Sequence, residues 1–167
     1  ARAAADIFDG GYVMPKQIPL GKGKFATVDD EDYEELARYT WHLKEDKGRF
    51  YAARSVKTGK TCKTIRMHRQ IINASPDLWV DHRDGDGLNN LRSNLRQATP
   101  QQNAHNRKGA RGSRSGLKGA FLDGNQWRSQ IRVAGKMIPL GRFATPEEAA
   151  AAYAAAAIRY HGEFARA

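Results

Sequence analysis

Asp81 and His82 stand side by side in VDHRDGDGLNNLRSN, residues 80–94, which also holds Asp84, Asp86 and three asparagines. Small polar groups gathered behind the apolar start LWV either form a solvated loop or hold a cation. A calcium loop of the EF-hand kind needs acidic or amide side chains at positions one, three and five. Counting from Asp84 puts Asp86 third and Leu88 fifth, so that pattern fails. Zinc is a poor match as well. The chain has one cysteine, Cys62, and the spacings between His68, His82 and His105 fit no pair on one helix face.

Phosphodiester hydrolysis suits these residue types better. It needs a base to activate water, a hard cation to stabilise charge on the phosphate and leaving oxygen, and a group that holds the base in register. Oxygen donors suit Mg²⁺, which keeps several waters and takes one or two protein ligands. Neighbouring side chains on a strand face opposite sides, so Asp81 and His82 can share a site only where the strand ends. A strand–loop–strand–helix unit solves this geometry. The strand end supplies Asp and His, and the helix after it returns a third ligand from QQNAHN, residues 101–106.

The flanking sequence supplies such elements. LWVDH reads as a brief strand, NLRQA at 94–98 as its antiparallel partner, and TPQQNAHNR at 99–107 as a helix. Thr99 is its expected N-cap and Pro100 its first residue. Upstream, VDDEDYEELARYT at 28–40 reads as a helix with acidic residues in its first turn. TWHLKEDKGRFYAARSV and KTCKTIRMH, separated by KTGK, suggest a hairpin or small meander, and MHRQIIN a short helix. Trp41 and Trp79 read as core residues, and His105 as a surface histidine. IPLG occurs at 18–21 and 138–141, each time followed by FAT, but the surroundings share no period and this is not a repeat.

The formal net charge is +10 over 167 residues, about +5 up to Lys108 and +5 beyond it. An excess in both parts points to a polyanionic partner, because Lys and Arg displace counterions from phosphates. No stretch approaches the ~18 apolar residues of a membrane span, and a single cysteine excludes an intramolecular disulfide. The expected protein is a cytoplasmic monomer, without membrane or small-molecule cofactor. Residues 1–15 read as an N-terminal extension.

MHRQI, WVDHRDGDGLNNLRSNLRQAT and QQNAHNR together resemble the HNH endonucleases, in the subgroup whose last motif residue is Asn. The motif positions fall on His82, Asn94 and Asn103, within a domain covering 16–107. The resemblance implies an α+β chain with a ββα-metal (His-Me finger) nuclease domain. It implies that Asp81 and Asn103 bind Mg²⁺, or another divalent cation such as Mn²⁺. His82 is then the general base, and Asn94 fixes the catalytic loop and orients His82. An imidazole titrates near ~6.5, so a neutral base is available at physiological pH. His68 belongs to the same pattern, as a further catalytic candidate or a support for the site.

RKGARGSRSG at 107–116 holds one apolar residue, an alanine, and its core, 108–115, reads as a flexible basic linker carrying Arg111 and Arg114. After it, LKGAFLDGNQWRSQIRVAGKMIPLGRF reads as three strands with turns at DGN and AGK. In WRSQIRV, Trp127, Ser129, Ile131 and Val133 face one way, and Arg128, Gln130 and Arg132 the other. TPEEAAAAYAAAAIRYHGEF is a helix that starts with a capping box from Thr145 to Glu148 and ends at Gly162. This segment, 116–167, resembles the Apetala/ethylene-response-factor DNA-binding domain. That resemblance implies a three-stranded antiparallel sheet packed on one helix, with Lys118, Arg128, Gln130 and Arg132 on duplex DNA in the major groove. Met137 and Pro139 depart from the plant pattern.

Together these readings give a divalent-metal-dependent endonuclease of homing type, cutting or nicking double-stranded DNA in a bacterial or phage-infected cell. The alternative is a DNA-binding regulator with an inactive nuclease site.

Overall fold

The computed structural model describes residues 14–106 and 114–165, so Arg111 and most of the expected linker lie outside the described residues. Contacts divide these residues into two compact units, 14–73 with 86–95, and 74–85 with 96–165. Both mix helix with small antiparallel sheets, an α+β architecture.

The first unit opens with a hairpin of β1 (Lys16–Pro19) and β2 (Phe25–Val28). Its turn runs through Gly21, Lys22 and Gly23, all at positive φ. The helix α1 (Asp30–Leu36) carries Asp30, Glu31 and Asp32 in its first turn, where the unpaired N–H groups favour negative charge. A meander of β3 (His42–Asp46), β4 (Arg49–Thr58) and β5 (Thr61–Arg66) leads into α2 (Met67–Ile71). Ile18, Leu20, Val28, Leu36, Trp41, Ala52, Ala53 and Met67 are buried. The Trp41 indole N–H donates to the Leu36 carbonyl at 2.8 Å, so the one polar atom of that buried ring is satisfied.

The loop 86–95 is seated on this unit by its backbone. Thr27 N–H donates to Leu88 O at 2.9 Å, and Asn90 N–H to Thr27 O at 2.8 Å. Arg92 clamps it with two bonds to the Asp32 carboxylate, at 2.8 and 2.7 Å. Gly87 is needed for space, since a Cβ there would lie 2.3 Å from the Phe50 carbonyl oxygen and 2.6 Å from the Tyr51 ring.

In the second unit, β6 (Trp79–His82) pairs with β7 (Leu95–Ala98), and α3 (Pro100–His105) follows. Thr99 and Gln102 form the capping box of α3, with Pro100 at its start. Trp79 is 48% exposed and does not belong to the core. A second antiparallel sheet, ordered β10 (Lys136–Phe143), β9 (Gln126–Val133), β8 (Ala120–Asp123), packs against α4 (Pro146–His161). Thr145 and Glu148 cap α4 as their spacing requires.

Ile131, Ala156 and Ala157 form the centre of this packing, joined by Val133, Ile138, Leu140 and Tyr153. Alanines let the helix approach the sheet closely. Gly119 does the same for Tyr153, whose Cγ and Cβ would stand 2.1 and 2.3 Å from a Cβ at 119.

Strand β10 carries a bulge. Pro139 pairs with Gln130 and Gly141 with Ser129, leaving Leu140 as the extra residue. Gly141 has φ +132°, a conformation that side chains rarely tolerate. The bulge reverses the alternation, so Arg142 pairs with Arg128 on the face away from the helix. A 3-10 turn, Gly162–Phe164, closes the described chain beyond α4.

Candidate functional site

Asp81 and His82 are the last two residues of β6, and both are buried, at 4% and 6% exposure. Adjacent strand residues do not ordinarily share an environment. Here the chain turns immediately afterwards, with Gly85 N–H donating to His82 O at 2.9 Å and Gly85 at positive φ. Ending the strand at His82 frees the pair from strict alternation.

The Asp81 carboxylate is held by two side chains from later elements. Arg96, on β7, donates from Nε at 2.8 Å and from Nη2 at 2.6 Å, both to Oδ2. Asn106, which ends α3, donates from Nδ2 to Oδ1 at 3.0 Å, to Oδ2 at 3.1 Å, and to the His82 carbonyl at 2.7 Å. Arg96 and Asn106 are themselves buried. A buried carboxylate needs such partners, and removing one member of a buried ion pair costs about 3–5 kcal/mol.

The donors are shared unevenly. Oδ2 takes three and Oδ1 takes one, and a carboxylate has roughly four lone-pair sites. Oδ1 therefore keeps acceptor capacity for a hard cation. Among the described residues, no three His, Cys, Asp or Glu side chains cluster closely enough to hold an ion. Mg²⁺ needs no such cluster, because one or two protein oxygens with water and phosphate complete its shell. The chemistry of Asp81 fits a divalent ion of that kind.

Asn103 lies in the same unit, half-buried on α3, with its backbone N–H on Thr99 O at 2.9 Å. Asn94 and His68 belong to the first unit. Asn94 is buried and its Nδ2 donates to Asn89 O at 2.8 Å, drawing the ends of the 89–94 segment together. His68 is 3% exposed on α2, edge-on to the Tyr51 ring at 5.6 Å.

Comparison with known proteins bears on these residues. No protein-family model matches the chain, and no solved structure matches it. An "Uncharacterized HNH endonuclease L560" of Acanthamoeba polyphaga mimivirus is 32% identical over 151 residues, covering 87% of this chain and 75% of that protein. The chain belongs to the HNH endonuclease family. "Protein 3.8" of Escherichia phage T7 is 35% identical over 81 residues, 44% of this chain and 67% of that protein. The match to the mimivirus HNH endonuclease is longer than the motif-bearing stretch 16–107, so it reaches beyond that stretch.

Sequence reasoning about this member of the HNH endonuclease family missed Asn106 and Arg96. Asn106 follows Asn103 by three residues, one helical turn, and that spacing was the available signal. For Arg96 the signal was its alternation with Leu95 on a strand paired to β6.

On the second sheet, the face away from α4 carries Arg128, Gln130 and Arg132, as alternation requires. Cross-strand rows set Phe121, Arg128 and Arg142 together, then Gln130 with Pro139, and Arg132 with Met137. Arg142 joins this face only because of the bulge, and it pairs with Asp123 at 3.0 Å. Arg114 is exposed.

Lys118 is placed differently. It is half-buried, with its ammonium donating to the His105 carbonyl at 2.6 Å and standing 5.5 Å from the Tyr153 ring. His105 is half-buried too, its ring stacked on that of His161 with centroids 3.5 Å apart. Burial, then the neighbouring His161 and Lys118, hold the His105 imidazole below its ordinary pKa. No helix among the described residues is long and apolar enough to cross a membrane.

Proposed function

We propose that this chain is a divalent-metal-dependent DNA endonuclease of homing type, with β6, β7 and α3 as its ββα-metal core. In this reading Asp81 and Asn103 hold Mg²⁺ or Mn²⁺, His82 is the general base, and Asn94 fixes the catalytic loop with His68 as a support. The observation that carries it is the buried Asp81–His82 pair at the strand end, with one carboxylate oxygen left able to accept. The membership in the HNH endonuclease family is consistent with it.

A divalent ion at Asp81 supplies stabilisation of the charge that develops on the phosphate and its leaving oxygen. The His82 ring accepts a proton from the attacking water as the new P–O bond forms, while the bond from phosphorus to the leaving oxygen breaks and that oxygen takes a proton from solvent. Its main chain is fixed for this task, because the His82 carbonyl accepts from both Gly85 and Asn106. Asn106 thus ties the base and the proposed metal ligand to one amide.

The sheet beyond 116 is the proposed duplex-reading surface, with Arg128, Gln130 and Arg132 toward the major groove and Arg114 on phosphate. Arg pairs bidentately with guanine and Gln with adenine. Lys118 is engaged by His105 and Tyr153, so the reading surface rests on the other three.

One observation favours the alternative, a DNA-binding regulator with an inactive site: Arg96 and Asn106 already occupy Asp81. Supercoiled plasmid separates the two. The nuclease converts it to open circle with Mg²⁺ and not with EDTA, and a regulator binds without converting it.

A further inference from the structure

Arg96 does more than neutralise Asp81. Its Nη1 donates to the backbone carbonyl of Glu163, and its guanidinium lies 3.9 Å from the centroid of the Phe164 ring. The Glu163 carboxylate stands 3.7 Å from the same Nη1 and 3.0 Å from Nη2 of Arg83. Phe164 is buried at 7% exposure. One planar group therefore has its edges on a carboxylate and a carbonyl and its face on a ring.

The segment that provides these contacts is built for it. Gly162 has φ +54° and ψ −130°, a backbone conformation open to glycine and strained for other residues. It stops α4 and redirects the chain into the 3-10 turn, closed by Ala165 N–H on Gly162 O at 2.9 Å. Glu163 and Phe164 follow at once. A lysine could not replace Arg96, because a point ammonium has neither the fork for Asp81 and Glu163 nor the flat face for Phe164.

We propose that Phe164 and the Glu163 carbonyl are positioning residues of the nuclease site: they fix Arg96, and Arg96 fixes Asp81 so that Oδ1 is the oxygen left to a cation. The C-terminal segment then supports the metal site directly, besides any role in reading DNA. The inference rests on the reading of Asp81 as a cation ligand. Partners that orient a metal ligand typically contribute 10–100-fold in metal affinity or activity.

The test uses the full chain and Mn²⁺ as probe. Calorimetric titration in a His82→Ala background measures affinity without turnover, and nicking kinetics with His82 intact give kcat and KM. Phe164→Leu keeps a buried apolar group and removes the ring face. It weakens Mn²⁺ binding and lowers kcat by about 10-fold or more with KM unchanged, while Phe164→Tyr restores both. Arg96→Lys gives the same losses and serves where Phe164→Leu does not fold by circular dichroism. Wild-type Mn²⁺ affinity and kcat in a folded Phe164→Leu or Arg96→Lys protein overturn the inference. Asp81→Ala separates the two levels. If it leaves Mn²⁺ binding intact, the ligand reading fails and the inference with it. If it abolishes binding while Phe164→Leu and Arg96→Lys do not weaken it, only the inference fails.

Discussion

The Asn106 side-chain amide bridges both carboxylate oxygens of Asp81, at 3.0 and 3.1 Å. It also reaches the His82 carbonyl at 2.7 Å, so one short side chain locks the end of β6 to the end of α3. Asn106→Ala leaves that carbonyl and part of the carboxylate buried with fewer donors. The expected loss is about 1–3 kcal/mol of stability. Urea unfolding reads it as a lower midpoint at unchanged slope.

His82→Ala removes the proposed base and none of the side chains that hold Asp81. Mg²⁺-dependent nicking falls by about 10²–10⁴-fold, the usual contribution of a general base. Affinity for duplex DNA stays at the wild-type level in a mobility-shift titration. Undiminished nicking by this variant removes His82 from the chemistry.

Arg128→Ala and Arg132→Ala each weaken duplex binding, since both side chains are exposed on the sheet face away from α4. A contact to phosphate also lowers the slope of log affinity against log salt by about 1, and a contact to a base edge relaxes sequence preference. Binding isotherms at three salt concentrations distinguish these outcomes. Wild-type affinity in both variants counts against the reading face.

Gly119→Ala strains a backbone at φ +83° and drives a methyl group onto Tyr153. Overpacking of this kind costs about 1–3 kcal/mol, before the backbone term. Thermal unfolding followed by circular dichroism records a lower Tm. In the Gly119→Ala/Tyr153→Ala double variant the two losses are less than additive, because the clash is gone.

His105 gives a pH dependence with a defined sign. Its imidazole is held below the ordinary value of 6.5 in the folded protein, by burial first and then by His161 and Lys118. The unfolded chain therefore binds a proton more readily. Stability is full above pH 6.5 and declines as pH falls through that value toward the lower folded one. His105→Gln flattens this part of the stability profile, measured by urea midpoints between pH 5 and pH 8.

What was legible in the sequence was local. The ends of α3 and α4 follow from Thr-Pro followed by Gln or Glu, because a capping box needs only four residues. The faces of β9 follow from alternation, and the meander from its turn residues. The β1–β2 hairpin went unread, since its strands are four residues each and its turn contains a lysine at positive φ. Trp79 was misread because an aromatic in a short apolar strand gives no sign of which face is covered. At the site, adjacency and motif spacing drew attention to Asp81 and His82. The partners of Asp81 lie 15 and 25 residues away, and the support of Arg96 lies 67 residues beyond it. No local pattern encodes such separations.

Strand β10 holds one more residue than its partner needs, and that surplus decides which side chains lie on the face away from α4 at its far end. Were Leu140 itself to pair with Ser129 and the bulge to vanish, simple parity would turn the Arg142 guanidinium inward and the Phe143 phenyl outward. The choice between those two registers rewrites the chemical text of the sheet without substituting any residue. Register, as much as composition, is a variable through which such a surface changes the side chains it presents.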